Sequence, residues 1–496
     1  MKQNGYEDNR PQSSKALTLA SFVGLAIQVL LSAGLLVYLM ILDVLPIAYL
    51  CGIALLLVAI PAAQFFLLHK ARTVVSGKKI FNIVLSILIT VFISVGLWYL
   101  GGFMSAFDAI SNFKTEYDIY SLRVLTSSNL NSINDIKGKT IGVSALTDEA
   151  DSKQCIENIK KAIVSTPKTK SYDDDDSLAK ALLEGDIDVI LFDEALLNMV
   201  EENRQGFSKK TKIIHEIKIE HKKAESSTNR ENIDITKDSF NIYITGMDSS
   251  GKIAARGNSD VNILATVNPK TKKILLTSTP RDYYVPLEGN KNKYDKLTHA
   301  GNYGVECSME TISKLYNTPI DFYVKLNFTS VKDLVDALGG ITVESDVSFS
   351  STYTADGSMA SFTKGKNRLN GNQALAFCRE RKALAEGDRG RGKHQQEVIN
   401  GIIDKLSSPA ILTNYNKVLN AIKENTVTDF GTDEITSLIK EQLKNPSSWK
   451  TESFSVNGKG DSKLTYSYKK SKVYVMIPDQ STVEEAKAKI AEYMKE

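Results

Sequence analysis

The sequence predicts an α/β protein in three parts: three N-terminal membrane-spanning helices, a small α/β domain, and a larger domain of α/β/α layers. Three observations lead there. Residues 16–104 hold three long apolar runs, and the remainder interleaves β-branched runs with segments of helical period. Four arginines (Arg379, Arg381, Arg389, Arg391) also crowd one short window with Asp388 and Gln395. At 496 residues the chain exceeds one ordinary domain. A formal charge of +3 is nearly neutral for that length, which argues against general nucleic-acid binding and makes any phosphate chemistry local. Four cysteines without CxxC spacing form neither a disulfide framework nor a zinc site.

The runs Ala16 to Leu42, Ile47 to Leu68 and Ile80 to Met104 each exceed the roughly 20 residues that cross a bilayer core. Lys2, Arg10 and Lys15 precede the first run, and His69, Lys70, Arg72, Lys78 and Lys79 lie between the second and third. The intervening turn carries only Asp43. Positive loops stay inside, so residues 1–15 are expected as a cytoplasmic tail and everything after about residue 105 outside the cell.

Residues 115–225 read as a small α/β domain. Ser121–Leu125, Lys139–Val143 and Ile187–Phe192 are expected strands, and Asp151–Val164 and Leu178–Leu183 expected helices. The phrases Asn134–Val143 and Gly185–Ile190 resemble one lobe of a periplasmic solute-binding protein. Such a lobe needs a partner to form a cleft, and there is room here for one lobe, so it is read as an accessory domain without catalysis of its own. Asp173–Asp176 reads as a solvated loop capping the next helix rather than a metal site. Residues 204–237 read as a linker or exposed strand.

Residues 236–496 form the larger domain. Phe240–Thr245, Val261–Val267, Lys273–Ser278, Phe322–Phe328 and Leu375–Arg381 are expected strands; Ser330–Leu338, Gly392–Leu406 and Glu484–Met494 are expected helices. Ligands gather at strand ends in open sheets, so the loops holding Asp248, Arg256 to Asp260, and Arg281 with Asp282 are expected to converge. Strand alternation would project Arg379 and Arg381 to one side. A helix through Arg391 would place Gln395 on the same face, above an apolar stripe of Val398, Ile399 and Ile402. Arginine forks hold phosphate, and Mg²⁺ is held by one or two carboxylates with phosphate oxygens. The window is therefore a solvated basic patch or a polyanion pocket, and two aspartates beside several arginines favour the pocket. Gly246–Lys252 has most of a Walker loop, but Ile253 stands where the Mg²⁺-binding hydroxyl belongs. Ser165-x-x-Lys168 lacks its companion motifs. His299 is a lone histidine, structural more often than catalytic. A Cys307–Cys378 bond behind the site is an expectation for thiols outside the cell, with two free buried thiols the alternative.

Ile244–Asp248, Arg256–Asp260, Ser278–Asp282 and Gly371–Arg381 with Asp388–Arg391 and Gln395 together resemble the LytR-CpsA-Psr family, and most the streptococcal capsule-type members. The resemblance implies a phosphotransferase domain of that family. It would move a glycopolymer, here a capsular polysaccharide, from a polyprenyl-pyrophosphate carrier to peptidoglycan outside the membrane. It implies that Arg281, Arg379, Arg381, Arg391 and Gln395 hold the pyrophosphate, with Arg256 replacing a family arginine from two residues upstream. It further implies that Asp248 and Asp260 bind Mg²⁺, that Arg281, Arg379 and Arg381 act catalytically, and that Asp282 and Asp388 are the candidates for general base. Asn258 and His394 stand where many members carry arginine. The implied partners are the lipid-linked polymer, peptidoglycan, the bilayer and capsule-synthesis membrane proteins, with no nucleic acid. The other readings are a binding or sensor module for lipid-linked precursors without turnover, or a regulator of capsule synthesis.

Overall fold

The computed structural model describes residues 15–70, 76–111, 115–222, 233–247, 253–254, 256–288, 292–408, 417–418, 420–422 and 426–495. They pack as two units. One contains residues up to Asp108 together with Thr432–Pro446, and the other contains the rest.

In the first unit α1 (Lys15–Leu42), α2 (Ile47–Lys70) and α3 (Ser76–Ser111) are long apolar helices. Leu17–Leu42, Ile47–His69 and Gly77–Gly101 are each long and apolar enough to cross a membrane. Their surface is the reverse of a water-soluble bundle. Leu30, Phe92 and Trp98 face outward, whereas Gln28, Gln64, Lys79, Asn82 and Ser86 are buried between helices. Lys79 Nζ donates to Thr18 Oγ1 at 2.9 Å and Gln64 Nε2 to Ser86 Oγ at 3.3 Å. Apolar surface out and polar groups in is the arrangement hydrocarbon demands. The segment Thr432–Pro446 contains a helix, Thr432–Lys444, whose Lys440 pairs with Asp43 at 2.6 Å in the turn after α1.

The second unit opens with the accessory domain. It comprises β1 (Thr115–Leu125), β2 (Thr140–Ser144), α4 (Glu149–Ile163), β3 (Lys168–Tyr172), α5 (Asp175–Glu184), β4 (Val189–Asp193), α6 (Leu197–Asn203), α7 (Phe207–Lys210) and β5 (Thr211–Lys222). The sheet order is β3-β2-β4-β1-β5, with β2 parallel to both neighbours and β1 antiparallel to both of its own. Strand β5 lies inside the stretch read as a linker or exposed strand, and its Ile217 and Ile219 are buried. Asp148 caps α4 by accepting from Ala150 N and Asp151 N, and Asp174 caps α5 by accepting from Ser177 N. The capping reading of the aspartate run holds, but the solvated reading is corrected. Asp174, Asp175 and Asp176 are buried because each has a partner: Lys469 N, Ser144 Oγ and Arg204 respectively.

The larger domain is built on a six-stranded sheet. Its strands are β6 (Phe240–Gly246), β7 (Val261–Asn268), β8 (Lys273–Ser278), β11 (Phe322–Leu326), β16 (Val427–Thr428) and β17 (Lys450–Ser455), ordered β16-β11-β6-β7-β8-β17. Between them β9 (Tyr284–Leu287) and β10 (Lys293–Lys296) form a hairpin. Helices α8 (Val305–Tyr316) and α12 (Gln480–Lys495) cover one core containing Tyr243, Leu264, Leu275, Ile312 and Ala486. Helices α9 (Phe328–Ala337), α10 (Gly371–Arg379) and α11 (Asp388–Leu406) enclose a second, of Val335, Ala374, Phe377 and Val398. This is the layered α/β arrangement expected.

Two local expectations are corrected. Leu375–Arg381 is not a strand, because Asn370 and Gln373 form a capping box and the Ala-Leu-Ala-Phe run continues as helix α10. The helix stops at Glu380, whose carboxylate accepts from Lys382 N and Ala383 N. The Cys307–Cys378 bond is absent and both thiols are free. They belong to different cores, and Cys307 Sγ donates to Glu288 O while Cys378 Sγ donates to Leu375 O.

Candidate functional site

Backbone hydrogen bonds draw the expected loops together. Asp260 N donates to Gly246 O at 2.8 Å, Ser259 N to Thr298 O at 2.8 Å, and Thr298 N to Arg281 O at 2.8 Å. Gly257 N donates to Gly301 O, and a Cβ on Gly301 would collide with the carbonyl of Gly257, so only glycine lets these two loops approach so closely. The result is a cavity lined by Asp260, Arg281, Asp388, Arg389, Arg391 and Gln395, with Ser278, Thr279 and Ser455 in its walls.

Helix α11 supplies half of the cavity. It begins at Asp388, earlier than expected, so its first turn carries Asp388, Arg389 and Arg391. The positive end of the helix dipole favours an anion there. Gln396, unremarked in the sequence reading, sets the helix in place: its Nε2 donates to Leu276 O and Phe454 O, both at 2.8 Å. Arg391 pairs with Asp388 at 2.6 Å, and Gln395 Nε2 donates to Cys378 O at 3.4 Å. Val398 is buried in the second core and Ile402 packs against it, so this stripe packs protein.

The strand ends supply the other half. Arg281 Nη1 lies 2.7 Å from Asp260 Oδ1, which also accepts from Thr298 Oγ1 at 3.1 Å. Burial acts to lower the Arg281 pKa, but Asp260 and Asp282 outweigh it and hold the guanidinium above its usual value. Asp282 sits behind, 3.3 Å from Lys296 Nζ and 3.8 Å from Arg281 Nε. Lys296 reaches Glu202 of the accessory domain at 2.9 Å. Neither Lys296 nor Glu202 stood out in the sequence, because nothing local marks a lysine or glutamate that meets its partner only through the fold.

Three expected arginines lie elsewhere. Arg256 does not face the cavity. Its guanidinium is drawn 2.7 Å from Asp118, 3.3 Å from Asp151 and 3.2 Å from Asp193, and also donates to Tyr120 Oη. Arg379 and Arg381 do not share a strand, since Arg379 ends α10 and Arg381 lies past its cap, Glu380. Arg379 stacks on Phe328 at 3.8 Å from the ring centroid, and Arg381 is exposed. Arg389 lines the cavity in their stead. His394 faces Phe377 and Phe349 in the second core, where burial lowers its pKa. Asn258 is buried and accepts from Asn302 Nδ2. His299 is sealed beside Asp295 at 2.7 Å, away from the cavity.

Asp248 lies outside the described residues, as do residues 249–252 of the Walker-like stretch. No group of three or more metal-ligating side chains occurs among the described residues. Asp260 still fits a metal that completes its shell with phosphate oxygens, because its Oδ2 accepts no hydrogen bond from a described residue.

Residues 202–491 match the LytR_cpsA_psr family. The polyisoprenyl-teichoic acid–peptidoglycan teichoic acid transferase TagU of Enterococcus faecalis is 39% identical over 202 residues, covering 40% of this chain and 64% of that protein. Its namesake from Bacillus mycoides is 36% identical over 236 residues, covering 47% and 75%. The crystal structure of B. subtilis TagV aligns with 28% identity and a TM-score of 0.44, over 52% of this chain and 98% of that one. The first of these relatives is thus matched over somewhat less than two thirds of its length. With the family match extending over more than half of its residues, this chain belongs to the LytR-CpsA-Psr family.

Proposed function

We propose that the chain is a membrane-anchored phosphotransferase that moves a glycopolymer from a polyprenyl-pyrophosphate carrier to peptidoglycan, on the outer side of the membrane. The observation that carries this reading is the single cavity in which Arg281, Arg389 and Arg391 meet the N-terminus of α11 beside Asp260. Cationic forks and the positive end of a helix suit a diphosphate. The relatives are transferases of teichoic acid to peptidoglycan by name, which supports a lipid-linked donor and a wall acceptor. A capsular polymer is the finer form of the proposal.

In this scheme Arg281, Arg389, Arg391 and Gln395 orient the diphosphate and take up charge as the bridging P–O bond lengthens. The acceptor hydroxyl oxygen bonds to the phosphorus nearer the polymer, and polyprenyl phosphate leaves. Asp388, at the cavity wall, receives the hydroxyl proton. Asp282 lies behind Arg281 rather than in the cavity lining, and serves instead to back Arg281. Asp260, with Asp248, would hold Mg²⁺, which when bound supplies positive charge to the diphosphate oxygens.

The test is transfer of a lipid-linked polymer to peptidoglycan by the full chain in membranes. Asp260→Asn is expected to lower Mg²⁺-stimulated transfer by about 10²-fold while donor binding persists. Wild-type protein that binds the donor without turnover would establish a binding or sensor module instead.

A further inference from the structure

The accessory domain packs directly against the larger domain. Strand β1, the end of β4, the first turn of α4 and the cap of α5 meet the larger domain. There Asp118, Asp151 and Asp193 close on Arg256, and Asp174 accepts from Lys469 N. The Arg256 side chain is 17% exposed and its three carboxylate partners 6% or less. Separating the domains would strand those charges, so the accessory domain is held in one place beside the cavity.

From that place α6 sends Glu202 to the back of the cavity wall. Its carboxylate lies 2.9 Å from Lys296 Nζ and 3.8 Å from Arg281 Nη1. Lys296 is 6% exposed and divides its charge between Glu202 and Asp282. Burial acts to raise the Glu202 pKa, but Lys296 outweighs it, and burial acts to lower the Lys296 pKa, but Asp282 and Glu202 outweigh it. Both groups therefore stay charged. Without Glu202, Lys296 would collapse onto Asp282, and Asp282 would no longer back Arg281.

We propose that Glu202 of the accessory domain is a positioning residue for the site of the larger domain, fixing Lys296 so that Asp282 holds Arg281 in place. The inference rests on the transferase reading above. It makes the accessory domain part of the catalytic machinery rather than a spacer.

The test compares the full-length wild type with Glu202→Gln and Glu202→Asp, using a short polyprenyl-pyrophosphate glycan as donor and polymeric peptidoglycan as acceptor. Glu202→Gln is expected to lower kcat by about 10- to 100-fold while KM for the donor changes by less than about threefold. Glu202→Asp is expected to recover a large part of the loss, with the thermal midpoint of both variants at the wild-type value. A Gln variant with wild-type kcat overturns the inference. So does a loss that follows a lowered midpoint and is not relieved by Asp, since that marks a merely structural residue. A wild type that transfers nothing overturns the transferase reading, and this inference with it.

Discussion

Arg281 shows how one side chain acquires its role from several loops at once. Its guanidinium is held by Asp260 in front and Asp282 behind, and its own carbonyl accepts from Thr298 N. A guanidinium already fixed in this way loses little freedom when a diphosphate arrives. Arg281→Ala is expected to lower transfer by about 10²–10³-fold, the scale for one preorganised charge-stabilising group, and steady-state kinetics would measure it. Arg281, Asp260, Arg391 and Gln395 were legible in the sequence because their motifs are local. Lys296 and Glu202 were not, because 94 positions separate them. A second residue-scale prediction concerns Asp175. Burial raises its carboxyl to about 7, against the H-bond from Ser144. The folded state therefore binds this proton where the unfolded state, near 3.9, does not. The resulting stabilisation is full below about pH 4 and is lost as pH rises through about 7. Asp175→Asn should therefore raise the thermal midpoint at pH 8 and flatten its dependence between pH 5 and 8. Comparison with wild type separates this from His394, whose lowered pKa acts in the opposite sense.

At the scale of elements, α11 is the piece on which the cavity depends. Its first turn carries the polar groups, its middle is tied to β8 and β17 by Gln396, and Gly401 lets it lie against β12 (Ile341–Ser345). A Cβ at Gly401 would come within 2.8 Å of Thr342 O. Gln396→Leu removes both donors and leaves two buried carbonyls short of a partner, at a cost of about 1–3 kcal/mol. Urea unfolding should show that loss, with transfer falling as the helix loses its seat. The extent of α11 was partly legible: its apolar face marked Gly392–Leu406, but nothing in that face revealed that the helix starts at Asp388. Helix α10 was missed altogether, since arginine alternation at Arg379 and Arg381 suggested a strand. The Asn370–Gln373 capping box was the signal that would have found it.

For the whole molecule, the decisive contact is that between the accessory domain and the larger domain. Arg256→Met leaves Asp118, Asp151 and Asp193 buried without their cation, and breaking such a pair typically costs about 3–5 kcal/mol. Hydrogen exchange in α4, α5 and α6 is expected to rise in that variant while α1 to α3 are unaffected; unchanged exchange would show that the contact is not what holds the domains together. The sequence by itself determined the apolar helices, the family motifs and the local loops, since each is written in residues close together along the chain. Only the tertiary structure decided that Arg256 belongs to the interface and Arg389 to the cavity, and that the cysteines lie in separate cores. It also decided that a glutamate of the accessory domain reaches the site. The physical reason is that a buried charge goes to whichever partner the packed backbone brings within a few ångströms, and spacing along the chain carries no record of that distance.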